Sequence, residues 1–184
     1  MNIPNPLKNS ITFVAIDFET ANAKRNSACE LGIIICCDSE IIESIHIKIK
    51  PPTSEFSFQN TQIHGISWND VKDEATFSHI WPRIQPLLSK ASFIAAHNAS
   101  FDKSVLKSCC THYGLPMPDT PWVCTYRHIA TKIWPKPDIV PNHKLNTLCH
   151  YLGIQLSHHE ALSDARAVAE MVFIAKEKGW QPDI

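Results

Sequence analysis

Glycine is scarce, with five in 184 residues. None follows the first apolar stretch, where segment 17–21 reads DFETA. A doubly wound dinucleotide-binding fold needs a glycine-rich turn there, so that fold is disfavoured. No apolar run approaches the ~20 residues that a membrane helix requires, and no membrane association is expected. The opening MNIPNPLKNS has no apolar h-region, so no signal peptide is expected from it. Nor is there an excess of either charge: Lys+Arg is 17 and Asp+Glu is 18, a formal charge of −1. A strongly basic nucleic-acid binder is thereby excluded; a nucleic-acid partner would have to be held by local patches or metal ions. Internal repeats, low-complexity tracts and long charge runs are also missing. Hydrophobic residues make up 44% and charged residues 19%, which excludes disorder as the main state. The seven cysteines are odd in number and include two adjacent pairs, Cys36–Cys37 and Cys109–Cys110. Without a secretion signal, a disulfide framework is not expected, and a reducing cytoplasmic setting fits best.

What is present reads as a mixed α/β chain. Residues 1–10 are polar with two prolines and form a flexible lead-in. Residues 11–18, ITFVAIDF, are apolar on both faces, as in a central strand. Leu31–Cys37 is a second apolar run, and 41–50 alternates like a half-exposed strand near a sheet edge. Asp38-Ser39-Glu40 joins the two as a hairpin turn. Between 67 and 90 a helical stripe carries Phe77, Ile80, Trp81, Ile84, Leu87 and Leu88, with Pro82 and Pro86 expected to bend or break it. Phe93–Ala96 is a further strand, followed by a helix from Phe101 to about Tyr113, closed by Gly114. Six of 13 prolines fall between 115 and 141, which predicts loops around a short helix near 126–133. Helices are expected at 144–152 and 164–178, with Gly179 ending the last. A meander followed by strand–helix units points to a mixed sheet with helices on its faces.

Three polar segments interrupt this apolar pattern. Asp17 and Glu19 are two apart on one strand and share a face, where two anions repel unless a cation lies between them. Asp102 stands in the first turn of a helix after His97 and Asn98, a position that also suits simple complementing of the helix dipole. His159 precedes Asp164 by five positions at another helix start. His158 and His159, with Cys149 and His150 nearby, raise the thought of zinc, but no CxxC or closed four-ligand spacing accompanies them. Taken together, Asp17, Glu19, Asp102 and Asp164 offer four hard oxygen donors suited to Mg²⁺ or Mn²⁺. Two such ions about 3.5–4 Å apart can activate a water and stabilise the leaving oxygen of a phosphodiester. His159, with an ordinary pKa near 6.5, can accept that water's proton near neutral pH.

These residues resemble the motifs of the DEDDh 3′–5′ exonucleases, the family of the bacterial DNA polymerase III epsilon subunit, exonuclease X and ribonuclease T. FVAIDFETA (13–21), HNASFD (97–102) and HEALSDA (159–165) look like its three motifs, in order. The resemblance spans about residues 11–178, taken as the exonuclease domain, with 179–184 as a short tail. It implies a ribonuclease H-like mixed five-stranded sheet flanked by helices, two divalent metal ions, and release of nucleoside 5′-monophosphates. Asp17, Glu19, Asp102 and Asp164 match its metal ligands and His159 its general base; His158 is an extra neighbour. Thr20 and His64, the latter in QIHGI (62–66), match positions near the terminal nucleotide, and His97, Asn98 and Phe101 are substrate contacts by position. The expected partner is nucleic acid with a free 3′ end, single-stranded and DNA rather than RNA, with replication or repair proteins as further partners. A short free-standing nuclease fits better than a tethered proofreader. Competing readings are an exoribonuclease of the same family, a non-cleaving module that docks on nucleic acid or a polymerase, and a metal phosphatase acting on small monoesters. The proline-rich segment 134–143 is either a lid on the substrate side or a stiff connection.

Overall fold

Five strands form one sheet in the order β3-β2-β1-β4-β5, and seven helices are described around it. The computed structural model describes residues 12–183, so the lead-in 1–10 lies outside it. The strands are β1 (Phe13–Thr20), β2 (Ala28–Cys37), β3 (Glu40–Lys48), β4 (Phe93–Ala96) and β5 (Trp122–Cys124). The helices are α1 (Phe58–His64), α2 (Trp68–Val71), α3 (Phe77–Lys90), α4 (Ser100–Tyr113), α5 (Thr131–Ile133), α6 (Leu145–Leu152) and α7 (Ala161–Glu177). A π-helical turn, Thr125–Ala130, leads into α5. The β1–β2 and β2–β3 pairs are antiparallel, whereas β1–β4 and β4–β5 are parallel. The mixed sheet and the edge position of β3 agree with the patterning of the chain. No helix among the described residues is long and apolar enough to cross a membrane.

Alternation along β1 divides the core into two layers. Val14, Ile16 and Phe18 join Trp81, Ile84 and Leu88 of α3 and Val105 and Leu106 of α4. Phe13 and Ala15 join the opposite layer, with Leu148 of α6 and Val168, Met171 and Val172 of α7. Asp17 and Glu19 continue the Phe13–Ala15 face, so the strand aims both carboxylates toward the α7 side. The tail is not loose at its start: Trp180 is buried, and its Nε1 donates to the His128 carbonyl at 3.0 Å.

Several elements differ from the sequence expectation. The first strand runs two residues further, because Glu19 and Thr20 still pair with Glu30 and Ala28 of β2. The 67–90 stripe does break, but at 72–76 rather than at its prolines. There Lys50 N–H donates to the Ala75 carbonyl at 3.0 Å and draws the chain out of the helix. Within α3, Pro82 is exposed and Pro86 only half-buried, while Phe77, Trp81, Ile84, Leu87 and Leu88 are buried. Burying large side chains is worth about 1.5–3 kcal/mol each, enough to hold a helix across two missing donors. Helix α1 and strand β5 were not located from the sequence. The first lacks any buried residue and the second is three residues long, so neither leaves a periodic signal.

Four of the five glycines sit after helices with positive φ, and Gly32 alone lies inside a strand. Gly32 pairs with Asp17 across β1–β2, and the first residue of α7 rests directly on it. A Cβ at Gly32 would come 2.1 Å from the Ala161 carbonyl oxygen. Gly32→Ala is therefore expected to lower stability by about 1–3 kcal/mol through this backbone clash. Urea denaturation checks this; an unchanged midpoint would show that α7 does not depend on the contact.

Candidate active site

The carboxyl ends of the parallel strands β1, β4 and β5 lie at one edge of the sheet, where ligand sites of α/β folds form. A cleft of about 1170 Å³ opens there. Asp17, Glu19 and Thr20 from β1, Asn60, Ile63 and His64 from α1, and Asp164 from α7 line it. So do His97, Asn98 and Phe101 from the β4–α4 turn, together with His158 and His159. The carboxylate oxygens of Asp17, Glu19 and Asp164 lie within 4.8 Å of one another. Asp102 is buried just behind them, and the Phe18 N–H donates to its Oδ1 at 3.1 Å. That bond ties the first turn of α4 to β1.

Burial pushes the carboxyl groups away from their ionised form, and their neighbours add to it. Glu19 is raised to about 8, first by burial and then by Asp164, Glu30 and Asp102. Asp102 is raised to about 8 by burial, although the Phe18 N–H partly offsets this. Asp17 is raised well above the ordinary carboxylate range by burial and by Asp102, Asp164 and the two glutamates. Burial also raises Asp164, against the opposing hydrogen bond from His158. Three carboxyls within 4.8 Å of one another, with Asp102 buried behind them and outside the cleft lining, call for a cation. An oxygen-only set of this kind fits a hard divalent ion such as Mg²⁺ or Mn²⁺.

Two histidines flank Asp164 differently. His158 Nδ1 lies 3.1 Å from Asp164 Oδ2, and the His159 backbone N–H donates to the same oxygen at 3.2 Å. The two rings stack at 3.8 Å. His159 has φ 68°, a left-handed conformation that costs a non-glycine residue roughly 1–2 kcal/mol. Burial lowers the His159 pKa, which favours the neutral ring. His158, His159 and Asp164 also form a compact donor group, but Cys149 and His150 do not belong to it.

The remaining sequence-derived residues all reach the cleft, though with their polar atoms engaged. His64 Nδ1 accepts from the Ile66 N–H at 3.0 Å, which leaves Nε2 to donate to the Thr20 carbonyl at 3.1 Å. Asn60 Nδ2 donates to that same carbonyl at 2.7 Å. His97 bridges Thr125 Oγ1 at 2.9 Å and the His143 carbonyl at 3.0 Å; burial holds it neutral, with its pKa down to about 4. Asn98 adopts φ 56°, which asparagine tolerates. The guanidinium of Arg25 sits 4.4 Å from the centre of the Phe101 ring.

Glu30 escaped the sequence reading. It lies opposite Glu19 on β2 and is 4% exposed. Its Oε2 accepts the Ala161 N–H at 3.0 Å, and its Oε1 meets His46 Nε2 at 2.8 Å. It thus satisfies a free donor at the start of α7 and sets the turn that carries Asp164. Its signal was a carboxylate inside an otherwise apolar strand, two residues before the lone strand glycine.

The exonuclease family RNase_T matches residues 14–172. This chain belongs to that family. Among its relatives is the DNA polymerase III PolC-type of Clostridium perfringens, 28% identical over 173 residues, 90% of this chain and 11% of that protein. The PolC-type polymerase of Halalkalibacterium halodurans is 28% identical over 175 residues, 94% of this chain and 12% of that protein. The chain thus spans about a tenth of the length of these curated relatives. A solved structure of exonuclease X with 5′ overhanging duplex DNA shares the fold at TM-score 0.73 and 23% identity, covering 92% of this chain and 94% of that one. So does the nuclease domain of 3′hExo, a DEDDh family member, bound to rAMP, at TM-score 0.74 and 17% identity, covering 91% and 92%. E. coli exonuclease I with a 5cy-dT13 oligonucleotide superposes at TM-score 0.76 and 18% identity, covering 92% of this chain and 41% of that one.

The raised carboxyl pKa values carry a sign for stability. Below about pH 4 these groups are protonated in both the folded and unfolded chain, and ionisation costs nothing. Between about 4 and 8 the folded state binds more protons than the unfolded one, so metal-free stability falls as pH rises. Thermal melts in EDTA from pH 5 to 8 should show this decline, and Asp17→Asn should flatten it. A wild-type melting temperature that rises over the same range would contradict the repulsion.

Proposed function

We propose that this chain is a metal-dependent 3′–5′ exonuclease that removes nucleoside 5′-monophosphates from the 3′ end of single-stranded nucleic acid. The observation that carries the reading is the meeting of Asp17, Glu19 and Asp164 within 4.8 Å in a cleft shared with His159. Asp17, Glu19, Asp102 and Asp164 are the residues that would hold two divalent ions, Mg²⁺ or Mn²⁺. Bound there, such ions lower the pKa of a water and offset charge building on the phosphate. His159 takes the proton of the attacking water on a ring nitrogen, while His158 stacks on it and fixes its plane. The water oxygen forms a bond to phosphorus, the bond to the 3′-oxygen of the penultimate nucleotide breaks, that oxygen takes a proton from solvent to become a 3′-hydroxyl, and the terminal 5′-monophosphate departs. Thr20, His64, Asn98 and Phe101 surround the terminal nucleotide; the His64 nitrogens are already used, so its ring face is what it offers. His97 braces the wall from behind.

DNA is favoured over RNA because the matched relatives are DNA polymerases and the chain has no basic excess. The same relatives support replication or repair proteins as partners. The rAMP bound by 3′hExo supports the exoribonuclease alternative. Seven unpaired thiols fit a reducing cytoplasmic setting.

DNA and RNA strands of one sequence, labelled at the 5′ end, test the reading. With Mg²⁺ or Mn²⁺ a ladder should shorten from the 3′ end, and EDTA should stop it. Asp17→Asn and Asp164→Asn should abolish the ladder, whereas His159→Ala should lower kcat by about 10²–10⁴ with little change in KM. Turnover by Asp17→Asn at the wild-type rate would refute the assignment. Cleavage of a nucleotide monoester but neither strand would favour the phosphatase reading.

A further inference from the structure

One wall of the cleft comes from the segment between α5 and α6, which contributes Lys136, Asn142 and Lys144, with Asn146 of α6 beside them. This segment contains Pro135, Pro137 and Pro141, and it is pinned at its base. Trp134 and His143, at its two ends, are 2% and 3% exposed. His143 Nε2 meets the Trp134 carbonyl at 2.8 Å, which closes the loop on itself. His97 Nε2 then meets the His143 carbonyl at 3.0 Å, which fastens the loop to the end of β4. Inside the loop, the Ile139 N–H donates to the Pro135 carbonyl at 2.9 Å. The Tyr126 ring packs edge-on against both histidines. So braced at its base, the loop forms a mount on the cleft wall.

The mount presents charge. Among the described residues the ion pairs are Lys24–Glu55, His46–Glu30 and His158–Asp164, so Lys136 and Lys144 have no carboxylate partner. Both nevertheless share a cleft with the acidic cluster. Ammonium groups that serve to balance those acids would stand in contact with them. These two instead face the open cleft beside two side-chain amides, a donor set that suits successive phosphodiesters.

We propose that Lys136 and Lys144 form a backbone-phosphate site that grips the strand upstream of the scissile bond. The site rests on the exonuclease reading and adds the element that sets its affinity. Its ligand is a polyanionic strand, recognised without regard to base.

Anisotropy of a 5′-fluorescein thymidylate dodecamer in Ca²⁺ tests the site by binding alone. Lys136→Ala and Lys144→Ala should each weaken binding at least about threefold at low salt. Each should also make the slope of log K against log salt shallower by about 0.7. A thymidylate dinucleotide, which has no upstream phosphates, should lose less affinity as a competitor. Lys136→Arg should keep both affinity and slope, and the exposed Lys107→Ala, on α4, should match wild type. Wild-type affinity and slope in the Lys136→Ala, Lys144→Ala double variant would overturn the site, as would an equal loss in Lys107→Ala. Failure to cut the dodecamer in Mg²⁺ would count against the exonuclease reading alone, because the binding result stands without cleavage.

Discussion

Repulsion among buried carboxylates is the interaction around which the rest of the molecule is arranged. Asp17 and Glu19 share one face of a strand, and Asp164 arrives from a helix on the same side. Asp102 approaches from behind and is kept there by a single backbone N–H. Nothing in that group attracts its other members, so the sheet and the two apolar layers must hold them together. The core can bear this cost because β1 is buried almost throughout its length. The strand is strong enough to end in two charges that it could not place elsewhere.

Holding α7 in position is the second half of the same problem. The helix packs through small residues, including Ala165, Ala167 and Ala169, and begins on Gly32. Glu30 takes the first free N–H of the helix, and His46 meets the other oxygen of Glu30. A carboxylate at a helix start is favourable, and here it also sets the depth of the turn that carries Asp164. Glu30 therefore serves the site by positioning it, although its charge still adds to the repulsion felt by Asp17 and Glu19.

The placement of several candidate site residues was legible in the sequence because it follows from short periods. Two acids at i and i+2 on a strand must share a face, and a histidine five residues before an acid spans the entrance to one helix. Asp17, Glu19 and Asp164 meet, and His159 shares their cleft, for these reasons; Asp102 stays buried outside the cleft lining, held by the Phe18 N–H. The helical stretch at 125–133 was legible, though not its π-helical form; β5 and α1 were not, because each is short and is fixed by contacts far away in the chain. Glu30 lies just before the apolar run 31–37 that marks the second strand, and its partner Ala161 is 131 positions later, so no local pattern exposes the pairing. His97 is the instructive case. Its place in the cleft follows from its motif, but its bond to the His143 carbonyl gives it a bracing task that no spacing could reveal. The proline-rich segment likewise had two open readings, and the hydrogen bonds at its base were not legible from its prolines.

If the carboxyls are held together in readiness for cations, metal binding must expel the protons that repulsion has retained. Calorimetric titration of the wild-type chain with Mn²⁺ at pH 7, in two buffers of different ionisation enthalpy, measures that release. The account requires saturable binding with net proton release, and loss of both in Asp17→Asn. Saturable binding with no proton release, or wild-type binding by Asp17→Asn, would contradict it.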